Sequence, residues 1–202
     1  MTANYPVKMG WIGTGRMGLA MCHRLLDAGV DLPVYNRTIA KAQPLADRGA
    51  TVVSTPFELA ERDIVFIMVA GPADVLEVTL GDAGVLSRSE SRPSIVIDAT
   101  TIDADTSRKL RTGAEAVGTA VLAAPVSGNP KVVRSGKLTT VVSGPPDAYE
   151  VARPYIELFG RKVTYVGGDD EALDLHPLQD AGLCQSRLQR NLHLASPPQG
   201  LR

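Results

Sequence analysis

Three glycines near the N-terminus have the spacing of a dinucleotide phosphate loop. Gly13, Gly15 and Gly18 follow an apolar run that ends at Ile12, in the pattern G-x-G-x-x-G. The first glycine permits a tight turn, the second lets a pyrophosphate approach the backbone, and the third lets a helix pack closely on the strand. The helix would offer free N–H groups and its positive dipole end to the phosphates. We therefore predict a dinucleotide-binding loop formed by Gly13, Thr14, Gly15, Arg16, Met17 and Gly18.

A second polar segment, Asn36, Arg37 and Thr38, ends the next apolar run. About 20 residues beyond the glycines, the dinucleotide fold meets the adenosine ribose, where an acidic residue favours NAD and an arginine accommodates the 2′-phosphate of NADP. This segment has no acidic residue, and the planar fork of Arg37 suits a phosphate. We predict that all three residues contact the cofactor and that NADP is preferred to NAD. The alternative is that Arg37 is a solvated surface residue on a turn.

Further polar groups follow two apolar runs without alternation, which are typical of strands buried on both faces of a parallel sheet. The first run ends at Val69 and Ala70, and the second is followed by Thr100 and Thr101. Ligands of open α/β sheets bind at the carboxyl edge, so these hydroxyls could contact a ligand. They could equally well cap the helix that begins near Asp103.

Strand and helix patterns alternate along the chain, which indicates a doubly wound, Rossmann-like α/β domain with a mostly parallel sheet. Pro44 either kinks one predicted helix or marks its true start. A rigid turn over 124–130 carries the hydroxyl of Ser127. After the first strand and helix, we predict strands over 30–35, 51–53, 64–69, 94–99, 119–124, 138–143 and 162–166, and helices over 39–48, 56–62, 73–80, 103–117 and 147–159.

The composition excludes several classes of partner. A net charge of -1 gives no general electrostatic reason to bind nucleic acid or an anionic membrane. No apolar run approaches the roughly 20 residues of a membrane span, and no signal peptide is evident at the N-terminus. Cys22 and Cys184 are far apart and lack metal-ligand spacing, so we expect no metal site and a reduced, cytoplasmic protein.

The composition changes near the C-terminus. From residue 172 to 202 there is no Val, Ile, Thr, Phe, Tyr or Lys, and His176 and His193 fall in this part. We predict a domain over residues 1–168 and an atypical, irregular tail over 169–202. By default the two histidines are solvated residues of this tail.

These motifs together resemble the β-hydroxyacid dehydrogenase family, which includes 3-hydroxyisobutyrate dehydrogenase, tartronate semialdehyde reductase and the N-terminal domain of 6-phosphogluconate dehydrogenase. The resemblance extends from about residue 7 to residue 168. It rests on the glycine-rich segment 10–18, the NADP-favouring turn 35–38, the Asp-Ala-Thr-Thr segment 98–101, and the Ala-Pro-Val-Ser-Gly-Asn segment 124–129.

The resemblance implies roles for residues that the spacing alone does not assign. Val69 and Ala70 correspond to a cofactor-contacting pair, and the hydroxyl of Thr101 would lie beside the cofactor. Segment 127–129 would bind a small-molecule substrate, with the carboxylate held by Ser127 and Gly128; Asn129 replaces the family's usual second glycine. The implied reaction is NADP-dependent hydride transfer between nicotinamide and a small 3-hydroxy acid or its semialdehyde.

The sequence departs from the family after the last predicted strand. The family's catalytic lysine, on a long helix, is not found: Lys162 is the last lysine, and His176 near the expected place is followed by Pro177. The C-terminal helical domain that forms the family's dimer is missing too, although a homo-oligomer stays open. We identify no catalytic residue and expect weak activity or none, and a shifted reading frame would explain the tail. Two alternatives are a non-catalytic NADP-binding module and an imine reductase-like enzyme.

Overall fold

The computed structural model describes residues 6–88, 90–160 and 162–168. Residues 169–202, with His176 and His193, lie outside this described part. Elements of the first half are β1 (Met9–Ile12), α1 (Arg16–Asp27), β2 (Val34–Tyr35), α2 (Gln43–Ala46), β3 (Val52–Val53), β4 (Ile64–Ile67) and α3 (Pro72–Leu80). Those of the second half are β5 (Ile95–Asp98), α4 (Ala104–Ala116), β6 (Ala120–Ala123), β7 (Val126–Ser127), α5 (Pro130–Arg134), β8 (Thr139–Val142), α6 (Pro146–Ile156) and β9 (Lys162–Tyr165).

The main sheet is parallel and has the strand order β3-β2-β1-β4-β5-β6. The chain starts in the middle, winds outward to β3, and then crosses back to place β4 on the other side of β1. Strand order therefore reverses between β1 and β4, which is the point where open α/β sheets bind ligands. This arrangement confirms the predicted doubly wound, Rossmann-like fold.

Two hydrophobic cores cover the two faces of this sheet. On one face, Trp11 stacks on Phe66 with ring centroids 5.3 Å apart, and Phe159 contacts both rings edge-on. Residues of α1 and α6 complete this core. On the other face, Val75 and Val78 of α3 and Leu110 of α4 pack against the alternate residues of the same strands. Burial on both faces explains why β4 is apolar throughout and why β5 is apolar up to its last residue, Asp98.

A second, smaller sheet is a finding that the sequence did not predict. Its order is β7-β8-β9, with β8 antiparallel to β7 and parallel to β9. It joins the main sheet where the backbones of Ala123 and Ser143 exchange hydrogen bonds of 3.0 and 2.9 Å. The strand predicted over 138–143 therefore exists, but it lies outside the parallel sheet.

The helix predicted over 39–48 is interrupted. Residues Ile39–Ala42 form a 3-10 turn, and α2 then begins with Pro44 in its first turn. Of the two predicted alternatives, a kink or a helix start, Pro44 marks a helix start, because its missing N–H is tolerated there. The segment predicted as a helix over 56–62 is a 3-10 turn over Pro56–Leu59 with a capping box between Thr55 and Glu58.

None of the helices in the described part is long and apolar enough to cross a membrane. Within the same residues, no three side chains of the kinds that ligate metals come together. Cys22 is buried on α1, and burial raises the pKa of its thiol well above the usual value.

Candidate functional site

A cavity of about 760 Å³ lies at the carboxyl edge of the main sheet, beside the point where strand order reverses. This volume is within the range of about 300–1,000 Å³ found for small-molecule sites. Its wall is formed by the loop between β1 and α1, the turn after β2, the end of β4, and one side of α3. The position follows from the topology, because β1 and β4 lead their connections away in opposite directions.

The glycine loop is fixed by three hydrogen bonds. The buried indole Nε1 of Trp11 donates to the carbonyl of Gly13 at 2.7 Å. The N–H of Gly13 donates to the carbonyl of Tyr35 at 2.8 Å, and the N–H of Thr14 donates to Oδ1 of Asn36 at 2.8 Å. Asn36 also donates from Nδ2 to the carbonyl of Thr38, so its amide ties the loop to the turn after β2.

The glycines differ in what surrounds them. A Cβ on Gly18 would lie 2.0 Å from the carbonyl oxygen of Gly13, so close helix packing requires glycine there. Around Gly15, by contrast, a Cβ would meet no atom within 4 Å, and this open space faces the cavity. Helix α1 has no side-chain cap and no acidic residue in its first turn. The loop therefore fits a phosphate group, with backbone N–H groups unopposed by negative charge.

The far end of the cavity carries charged side chains. Arg37 and Lys41 line it beside Asp74 of α3. Nη1 of Arg37 lies 2.8 Å from Oδ1 of Asp74, and the two side chains are 73% and 25% exposed. Arg37 is thus at the predicted place, but it is already paired with a carboxylate from a different element.

The ends of β4 and β5 are linked by Thr100. Its hydroxyl accepts a hydrogen bond of 3.1 Å from the N–H of Val69, and its own N–H donates to Oδ1 of Asp98 at 2.9 Å. Val69 and Ala70 line the cavity. Thr100 is buried, whereas Thr101 is exposed and does not line the cavity. The cap of α4 is Asp103, whose side chain accepts from the N–H of Thr106.

Asp98 has an unusual environment for a carboxyl group. It is 2% exposed, and its Oδ2 has no hydrogen-bond partner among the described residues. Burial raises the pKa of Asp98 from 3.8 to about 7, although hydrogen bonds from the backbone and side chain of Thr100 lower it. This carboxyl therefore releases its proton near neutral pH rather than near pH 4.

None of the residues of the predicted substrate segment 127–129 lines this cavity. Ser127 is on β7, half-buried and opposite Thr139 of β8. Gly128 has a φ of +149°, and Asn129 caps α5, accepting hydrogen bonds from the N–H groups of Lys131 and Val132 at 3.0 and 3.2 Å. Asn129, at the position where the resemblance led us to expect a glycine, therefore caps the start of a helix.

All of the residues predicted to bind cofactor, except Thr14 and Thr101, line one cavity. The sequence did not predict the roles of Trp11, Lys41 and Asp74 at this site. It also did not predict the hydrogen bond between Thr100 and Val69. Lys41 could have been found, because it lies four residues beyond Arg37. Asp74 contacts Arg37, 37 residues away in sequence, and Thr100 contacts Val69, 31 residues away. A local sequence pattern could not predict contacts between such distant residues. The described lysine of the last strand, Lys162, is exposed on β9.

The fold, the glycine loop and the cavity define an NAD(P)-binding domain. Residues 8–167 match the family profile described as the NAD binding domain of 6-phosphogluconate dehydrogenase. The chain belongs to the β-hydroxyacid dehydrogenase family, which confirms the resemblance seen in its motifs.

Three known proteins illustrate the likeness. "Probable 3-hydroxyisobutyrate dehydrogenase-like 1, mitochondrial" of Arabidopsis thaliana is 36% identical over 161 residues, which are 79% of this chain and 48% of that protein. The structure of Psf3 in complex with NADP+ and 2-OPP is 31% identical with a TM-score of 0.73, covering 92% of this chain and 62% of that one. Mycobacterium tuberculosis 3-hydroxyisobutyrate dehydrogenase with L-serine is 27% identical with a TM-score of 0.75, covering 94% and 62%. The chain spans about half the length of the curated relatives it matches.

Proposed function

We propose that this chain binds NADP(H) as the cofactor domain of a 3-hydroxyisobutyrate dehydrogenase-type oxidoreductase. One observation carries the proposal: a single cavity joins an uncapped, glycine-lined helix N-terminus to basic side chains, Arg37 and Lys41, which lie beside the carboxylate of Asp74. A dinucleotide phosphate needs the first feature, and a 2′-phosphate needs the second. The NADP+ in the structure of the relative Psf3 supports the same choice of cofactor.

Within this proposal, the chain's own residues bind and orient. The first turn of α1 holds the pyrophosphate, and Gly15 leaves the room for it. Val69 and Ala70 contact the cofactor at the end of β4, where Thr100 fixes the backbone of Val69. The nicotinamide, when bound, supplies the hydride transfer, and the protein contributes position and electrostatics.

The substrate would be a small 3-hydroxy acid or its semialdehyde, held at its carboxylate by Ser127 and Gly128. General acid–base catalysis is typically worth about 10²–10⁴ in rate. Because no lysine replaces the family's acid–base group in the sequence after Lys162, we propose that this chain turns over substrate weakly or not at all. The cytoplasmic location and the state of association also stay predictions.

Two alternatives keep the same fold. A non-catalytic NADP-binding module would bind NADPH and show no turnover of a 3-hydroxy acid, its semialdehyde or a cyclic imine. An imine reductase-like enzyme would reduce a cyclic imine with this chain alone. Asp174 and Asp180, which could replace the lysine in that reaction, lie outside the described residues.

The experiment that tests the proposal is a fluorescence titration with NADPH and NADH. We expect Gly15→Ala to weaken NADPH binding at least about tenfold, since its methyl group would enter the space that faces the phosphates. The fold should be retained, because no atom lies within 4 Å of that methyl position. Gly168→Ala is the matched control, since its Cβ would only meet an oxygen at 4.0 Å and lies outside the cavity lining. Equal NADPH affinity in wild type and Gly15→Ala, or no binding by a folded wild type, would reject the proposal.

A further inference from the structure

The charged end of the cavity contains an acidic residue that the NADP preference does not require. Asp74 sits in the first turn of α3, where a carboxylate is favoured by the helix dipole. Its Oδ1 accepts a hydrogen bond of 2.8 Å from Nη1 of Arg37, which lies in the turn after β2. Both residues line the cavity, so their contact spans the region assigned to the adenosine end.

A 2′-phosphate arriving at this end would meet two opposing effects. It would gain the guanidinium of Arg37, which binds phosphate and carboxylate oxygens through the same planar fork. It would also displace, or share the guanidinium with, the carboxylate of Asp74, and it would bring a second negative charge beside it. A dinucleotide without the 2′-phosphate leaves the pair intact and meets neither effect. Asp74 therefore acts on one cofactor and not on the other.

We propose that Asp74 is a specificity-determining residue that limits the preference for NADP(H) by competing with the 2′-phosphate for Arg37. This inference rests on the proposed function, since it needs the adenosine end to lie between Arg37 and α3. The selectivity between NADP(H) and NAD(H) would then depend on Asp74 of α3 as well as on the turn after β2.

The expected magnitude is modest because the pair is exposed to solvent on the Arg37 side. Exposed ion pairs are weak, so release of Arg37 together with removal of the repulsion should improve affinity for a 2′-phosphate about three- to tenfold. A competing possibility is that the carboxylate of Asp74 accepts a hydrogen bond from the ribose 2′-hydroxyl of NAD(H), as acidic residues do in other dinucleotide sites. The two differ in which ligand responds to the loss of charge.

The test uses Asp74→Asn in the full chain with four probes: NADPH, NADH, adenosine 2′,5′-bisphosphate and AMP. We expect tighter binding of NADPH and of the bisphosphate by about three- to tenfold, with NADH and AMP changed less than about twofold. In an Arg37→Gln background, Asp74→Asn should improve 2′-phosphate binding less than about twofold, because no guanidinium remains to be released. The two small probes report on the adenosine end without nicotinamide or turnover.

Asp105→Asn is the matched control. Asp105 also lies in the first turn of a helix and pairs with an arginine, Arg108, but it is outside the cavity lining. It should leave all four affinities unchanged, which separates the local pairing from a change in net charge. Three outcomes would overturn the inference: equally tighter binding by both variants, weaker NADH binding by Asp74→Asn alone, or no change in the affinity for any probe. In each case, NADPH binding by the wild type would still uphold the proposed function. Absence of binding of every probe by folded wild type and Asp74→Asn would reject both.

Discussion

Thr100 and Thr101 are adjacent residues of one type, and the structure gives them different surroundings. The buried Thr100 accepts a hydrogen bond from Val69 and donates its N–H to Asp98, whereas Thr101 is exposed. The apolar run before them placed both residues at the end of a strand, but spacing alone could not choose between the hydroxyls, because the choice depends on how β4 and β5 pair. Ile67 lies opposite Asp98, and that register brings the N–H of Val69 to Thr100. The predicted cofactor contact of Thr101 stays a prediction.

Asp98 should make the stability of this chain depend on pH near neutrality. Its folded pKa of about 7 lies above the ordinary value of 3.8, so between these values the folded protein holds a proton that the unfolded chain releases. Stability should therefore fall as the pH rises through this window. We expect the free energy of unfolding of wild type to fall by about 2–3 kcal/mol relative to Asp98→Asn between pH 5 and pH 8. Urea unfolding at a series of pH values measures the difference.

Asp103→Asn provides the control for this pH dependence. Hydrogen bonds from the backbone and side chain of Thr106 lower the pKa of Asp103. The stability that this residue contributes is present above the ordinary pKa of the carboxyl and is lost only as the pH falls below it. The difference between wild type and Asp103→Asn should consequently be flat from pH 5 to pH 8. A flat profile for Asp98→Asn as well would contradict the role of its burial.

At the scale of elements, α5 shows how one residue starts a helix. Asn129 accepts from two N–H groups of the first turn, Pro130 occupies the first helical position, and Val133 is buried as α5 packs against α1. Five residues are too few to show helical periodicity, which is why the sequence indicated only a rigid turn here. The long apolar runs of β4 and β5 were predictable, because burial on both faces leaves a local signature. The pairing of β7 with β8 was not, because register is set by contacts distant in sequence.

Removal of the α5 cap should cost stability in proportion to the lost hydrogen bonds. We expect Asn129→Ala to lower the free energy of unfolding by about 1 kcal/mol, whereas Asn129→Ser should retain most of the cap. Asn129→Gly, which restores the residue usual in the family, should cost only a few tenths of a kcal/mol. Thermal or urea unfolding distinguishes the three. Equal stability of the alanine variant and wild type would mean that the α5 cap contributes nothing measurable.

At the scale of the whole molecule, residues from distant parts of the described chain pack together in the hydrophobic cores. Phe159, after α6, contacts Trp11 of β1 edge-on at 6.1 Å, so an early strand and a late segment share one cluster. Strand β9 then pairs with β8, and the hydroxyl of Tyr165 donates to the carbonyl of Gly144 at 2.7 Å. The family profile ends at nearly the same place, residue 167. The predicted division between 168 and 169 is consistent with this closure, but it remains a prediction.

A chain ended after Gly168 tests that division. We expect its free energy of unfolding to differ from that of the full chain by less than about 1 kcal/mol, and its NADPH affinity to be the same, because the described residues already fill both cores and line the cavity. A chain ended after Glu157 is the contrasting variant, since it lacks Phe159 and β9. Loss of a buried phenylalanine typically costs about 3–5 kcal/mol, so this shorter chain should be unfolded or nearly so. A large loss on ending after Gly168 would show that later residues contribute to the fold.

The hydrogen bond between Trp11 and Gly13 also gives the molecule a built-in optical reporter. Trp11 is the only tryptophan in the sequence, its ring is fully buried, and its indole N–H holds the carbonyl of the first loop glycine. Indole emission responds to the polarity and hydrogen bonding around the ring, so a loop movement that alters this hydrogen bond should change the wavelength or yield of the emission. The protein can therefore be followed without a label, and a shift on adding nucleotide would report the backbone that surrounds the phosphates rather than an average over many sites.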